Sequence, residues 1–86
     1  MVSQSVIVEN PTGLHARPAA ELIKHTSSKP CMVYLEKSGK RINAKSILGL
    51  MQLGAACGDS IEVITDGENE QETLDELVEV IKNLRD

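Results

Sequence analysis

His15 and Arg17 stand two residues apart in the run Gly13-Leu14-His15-Ala16-Arg17-Pro18-Ala19-Ala20. From Ala16 onward the apolar spacing predicts an amphipathic helix, with Ala16, Ala19, Ala20 and Ile23 on one stripe. The first amide N–H groups of a helix lack intrahelical partners, and the macrodipole adds partial positive charge there. A helix start therefore attracts anions. Histidine is a nucleophile that can be neutral near pH 7, and arginine is a fixed, phosphate-shaped donor. Pro18 suits a first helical turn, where its missing N–H removes no bond, and it would fix the aim of His15 and Arg17. The amides near Ala16 and Arg17 could bind phosphoryl oxygens. Nucleophile, cation and amides together point to a phosphate carried on His15, while the residues alone leave a capping or surface histidine open.

The elements that must position this run read as follows. Val2, Gln4, Val6 and Val8 alternate with Ser3, Ser5, Ile7 and Glu9, which predicts a half-buried strand ending at the turn Asn10-Pro11-Thr12-Gly13. The first helix stops at Ser27-Ser28-Lys29-Pro30. Met32–Leu35 and Arg41–Ala44 predict two strands joined at Ser38-Gly39. Ser46 precedes the apolar run Ile47–Leu53, closed by Gly54, and is a natural N-cap. Ser60–Thr65 predicts a fourth strand. Asn69 with Glu72 resembles a capping box for a last helix striped by Leu74, Leu77, Val78, Ile81 and Leu84. The order is β-α-β-β-α-β-α. It implies an α+β fold: a four-stranded, mainly antiparallel sheet with helices over one face.

Eighty-six residues make one small domain, 1–86. Tyr34 is the sole aromatic, so the core is aliphatic and a base-stacking nucleic-acid platform is disfavoured. The first residues carry neither a signal peptide nor a transmembrane run, so a cytoplasmic protein without membrane insertion is expected. Cys31 and Cys57, set among apolar neighbours without a CxxC spacing, predict reduced thiols. His15, His25, Cys31 and Cys57 lack zinc-site spacing, and no Walker loop is present, so neither metal nor other cofactor is expected. His25 is expected on the solvent side of its helix. The net charge of −4 divides unevenly: residues 1–45 carry +4 and residues 46–86 carry −8. Basic groups around Arg17, Lys24 and Lys45 could face acidic partners.

The motif around His15, together with Asn43-Ala44-Lys45-Ser46-Ile47-Leu48-Gly49-Leu50-Met51 and the element order, resembles the HPr family. These are the histidine-containing phosphocarriers of the bacterial phosphoenolpyruvate-dependent sugar phosphotransferase system. The resemblance spans essentially the whole chain and implies an open-faced β-sandwich with three helices on one side of the sheet. It implies that His15 accepts a phosphoryl group from phospho-enzyme I and passes it to the A domain of a sugar-specific enzyme II. The stretch Lys45–Met51 resembles the Gram-positive type. That resemblance implies that Ser46 is a regulatory site for an ATP-dependent HPr kinase/phosphorylase and that phospho-Ser46 is read by a catabolite-control repressor.

A regulatory paralogue in the family has glutamine at the active-site position, whereas this chain keeps His15. Leu48 and Gln52 depart from the Met and Ser common in bacilli, and the two cysteines are not family features. A seven-residue helix cannot bury every face. Ile47, Leu48 and Met51 are therefore expected to be partly exposed beside His15 as a docking patch, completed by Gly49, Gln52 and by Ala16, Ala20, Lys24 and Ser27. A monomer is expected. The alternatives are a purely regulatory binder acting through Ser46, a nitrogen-branch carrier, and an interaction module without phosphate chemistry.

Overall fold

The computed structural model describes residues 1–85. The chain runs β1 (Val2–Ile7), α1 (Ala16–Thr26), β2 (Met32–Lys37), β3 (Lys40–Asn43), α2 (Ile47–Leu53), β4 (Ser60–Asp66) and α3 (Glu70–Lys82). The sheet order is β1-β4-β2-β3, and all three pairings are antiparallel. Register follows from alternation: a one-residue slip would turn every buried valine to solvent. Val6, Val33, Leu35, Ile61 and Val63 point to the helices and are buried, with Val8 just beyond β1. They meet Ala19 and Leu22 of α1, Leu50 and Leu53 of α2, and Leu74, Leu77, Val78 and Ile81 of α3 in one apolar cluster. The opposite face carries Ser5, Glu62, Glu36 and Arg41 in adjacent register positions. Arg41 also lies over the Tyr34 ring, 5.8 Å from its centre. The expected open-faced architecture with helices on one side is present.

Three local expectations need correction. Asn69 precedes α3, but in the left-handed region (φ 58°) and without a side-chain capping bond. Glu70 instead tightens the turn before the helix: its carboxylate accepts from the Gly67 N–H at 2.9 Å and from the chain's own terminal ammonium at 3.0 Å. Asn69 tolerates positive φ, so it closes the turn instead of capping. Cys31 is buried as expected, whereas Cys57 is exposed, with its thiol 3.5 Å from the Glu9 carbonyl. His25 is half-buried and engaged: Nδ1 lies 3.3 Å from the Glu76 carboxylate and Nε2 3.6 Å from that of Glu21. Among the described residues, no helix is long and apolar enough to cross a membrane, and no cluster of His, Cys, Asp and Glu could hold a metal ion.

Candidate functional site

The turn after β1 aims His15. Leu14 is buried and its N–H donates to the Ala55 carbonyl at 3.0 Å. Asn10 Nδ2 donates to the Gly13 carbonyl at 2.7 Å. Gly13 sits at φ +68°, and a Cβ there would lie 2.3 Å from the Ala55 oxygen. With Leu14 anchored inward and Gly13 pressed on the 55–56 backbone, His15 is turned outward. Asp59 braces the same loop by accepting from the Ala56 N–H at 2.8 Å and pairing with Lys37 at 3.0 Å. The Ala56 N–H, and after it Lys37, hold the Asp59 carboxyl below its usual range.

His15 is the residue at the N-terminal boundary of α1, with extended backbone (φ −107°, ψ −177°). Its carbonyl accepts the Ala19 N–H at 2.8 Å, while its exposed ring makes no capping bond. The imidazole is therefore not consumed by holding the helix. Ala16 and Arg17 are the first two helical residues, and the first turn contains no acidic side chain. Pro18 follows, buried, where an N–H would have no intrahelical partner. Thr12, His15, Ala16, Arg17 and Pro18 line a shallow depression of about 200 Å³. Thr12 was not singled out from the sequence; its place beside His15 depends on the fold of the turn.

Ser46 caps α2: its Oγ accepts from the Gly49 N–H at 3.1 Å and its carbonyl from Leu50 at 3.0 Å. Gly54 closes the helix at φ 69°. Gly49 is half-buried, and a Cβ there would approach the Asn43 carbonyl to 3.1 Å. Ile47, Leu48 and Met51 are exposed by 46%, 64% and 38%, next to exposed Gln52. α2 packs beside α1, whose outer face presents Ala16, Ala20 and Lys24, with Ser27 at its C-cap, all exposed. The basic face is narrower than expected. Lys24 pairs with Glu21 at 3.5 Å, and Lys45 is turned back to donate to the Lys29 carbonyl at 2.8 Å.

Residues 2–83 match the model of the PTS HPr component phosphorylation site. The chain belongs to the HPr family. The HPr-like protein Crh of Bacillus subtilis (strain 168) is 45% identical over 82 residues, 95% of this chain and 96% of its own. Phosphocarrier protein HPr of Cupriavidus necator is 36% identical over 83 residues, 96% of this chain and 93% of its own. Among solved structures, HPr from Thermoanaerobacter tengcongensis superposes with a TM-score of 0.92 at 38% identity, covering 95% of this chain and 92% of its own. Relatives such as the Cupriavidus protein are named phosphocarriers, proteins that carry a phosphoryl group and are not catalysts with a substrate of their own. Family membership does not support the expectation of a monomer. Crh of B. subtilis is described as a dimer with a swapped domain, and T. tengcongensis HPr is also known as a dimer.

Proposed function

We propose that this chain is a phosphocarrier of the sugar branch, accepting a phosphoryl group on His15 from phospho-enzyme I and delivering it to an enzyme IIA domain. The carrying observation is an exposed imidazole at a helix start whose first turn lacks acidic side chains. In the transfer, a ring nitrogen of neutral His15 attacks phosphorus. A new N–P bond forms as the donor's N–P bond breaks, and the electron pair returns to the donor imidazole. The N–H groups of Ala16 and Arg17 and the Arg17 guanidinium hold the phosphoryl oxygens. Pro18 fixes the turn that bears them. A stabilisation of about 0.3–1 kcal/mol from the helix end is modest, which suits a group that must be handed on.

Ile47, Leu48 and Met51, with Gly49, Gln52, Ala16, Ala20, Lys24 and Ser27, form the surface on which enzyme I and enzyme IIA dock. Ser46 is the regulatory site: HPr kinase/phosphorylase phosphorylates it, and a catabolite-control repressor reads the product. A phosphate there keeps an acceptor at the cap while adding roughly −1.5 to −2 charge to the docking face. The chain acts in the cytoplasm, with no resident cofactor.

A purely regulatory role through Ser46 is the second reading, favoured by the higher identity to Crh than to the Cupriavidus carrier. His15 weighs against it, since the regulatory paralogue of the resemblance has glutamine there. The test is intact mass after incubation with phosphoenolpyruvate and catalytic enzyme I. One phosphoryl group, acid-labile and absent in His15→Ala, establishes the carrier. No gain, with enzyme I active on another carrier, leaves the Ser46 reading.

A further inference from the structure

A groove of about 510 Å³ is lined by α1 residues and by residues within 79–85 at the end of α3. Its floor is apolar, made by Val80 and Leu84. Arg17 and Arg85 both line the groove. Among the described residues, neither guanidinium has an ion pair or hydrogen bond. The carboxylates in the wall are compensated elsewhere. Glu21 faces Lys24 and His25 at 3.5 and 3.6 Å, and Glu79 faces Lys82 at 3.8 Å. What remains uncompensated is two guanidiniums over a hydrocarbon floor. The cavity falls within the roughly 300–1,000 Å³ of small-molecule sites.

We propose that this groove binds a small organic phosphate, its phosphate on Arg17 and Arg85 and its carbon body over Val80 and Leu84. Two guanidiniums match the charge of a phosphate dianion, whereas a carboxylate would neutralise one. Each guanidinium also offers a bidentate fork to phosphate oxygens. Arg17 lines the depression at His15 as well as the groove. Resting on the carrier reading above, a groove ligand and a phosphoryl group on His15 compete for that one side chain. Each therefore weakens the other by the same factor.

The test is a titration of the full, unphosphorylated chain with α-glycerophosphate, followed by nitrogen–proton correlation spectra, with glycerol as the uncharged control. Saturable shifts are expected at amides of the first turns of α1 and of residues 79–85, with half-saturation in the millimolar range and none from glycerol. Arg85→Ala should weaken binding by about tenfold, and Arg85→Lys by less. Absence of saturable shifts overturns the proposal. So do shifts confined to residues 15–17 that survive Arg85→Ala, because they place the anion at the helix start alone. No phosphoryl donor is present, so a failed titration leaves transfer to His15 standing. A chain that takes no phosphoryl group from enzyme I can still pass this test.

Discussion

Gly13 governs the aim of His15 more directly than any side chain touching the imidazole. Its positive φ is strained for an L-residue, and an added methyl would press on the Ala55 carbonyl at 2.3 Å. Gly13→Ala is expected to cost about 2–4 kcal/mol, from strain and overpacking together. Urea denaturation measures this, and the phosphoryl uptake rate of the remaining folded fraction should fall as His15 loses its position. Ser46 offers a cleaner separation of structure from regulation. Its hydroxyl caps α2 through the Gly49 N–H, so Ser46→Ala should cost about 1 kcal/mol. Ser46→Asp keeps a capping oxygen and should leave the midpoint nearly unchanged, while its negative charge weakens docking of acidic partners. If both variants lose equal stability, the capping role assigned to Ser46 is wrong; if Ser46→Asp leaves enzyme I kinetics untouched, charge at this site does not regulate docking.

At the scale of elements, α2 was plainly legible. Ser46 and Gly54 bracket seven residues of which five are large and apolar, and a helix so short must leave some of them outside. Leu48, 64% exposed, is the test. Leu48→Glu should change stability by no more than about 0.5 kcal/mol. It should raise the KM of enzyme I for the chain by about tenfold or more. Urea denaturation reads the first and steady-state transfer the second. The strands were equally readable, because alternating valines and isoleucines fix which face is buried, and Ser38-Gly39 supplies the positive φ values of a tight hairpin turn. The start of α3 was misread because the Asn69–Glu72 spacing mimics a capping box, whereas the carboxylate that braces the preceding turn is that of Glu70. Its partner is the terminal ammonium, 69 residues away in sequence. At the site, His15, Arg17 and Pro18 were legible as a motif. Thr12, the 55–59 loop and the α1–α3 groove were not, since their proximity is created by packing between segments far apart in the chain.

The charge asymmetry of the whole molecule acts largely inside it. Among the described residues, three cations of the basic half are tied to carboxylates of the acidic half: the Met1 ammonium to Glu70 and Asp66, Lys29 to Glu76, and Lys37 to Asp59. They fasten β1 to α3, the segment after α1 to α3, and β2 to the loop that braces Gly13. The carboxyls of Glu70, Glu76 and Asp59 are held below their usual range, the first by the Gly67 N–H and then the terminal ammonium, the second chiefly by Lys29, and the third as above. A carboxyl lowered by folding contributes stability above its unfolded pKa, and that contribution is lost as pH falls through the folded value. The Met1 ammonium is raised, by Glu70 first, so its contribution holds below the unfolded amine pKa and is lost as pH rises through the folded one. The urea midpoint should therefore be highest around neutral pH, falling from about pH 4 downward and again above about pH 8. Glu76→Gln should lower the neutral midpoint slightly and flatten the acid limb, leaving the alkaline limb intact. Glu70→Gln should flatten both limbs, because it removes a lowered carboxyl and the main partner of the raised amine. An alkaline limb unchanged in Glu70→Gln would show that the terminal ammonium is not held by that carboxylate in solution.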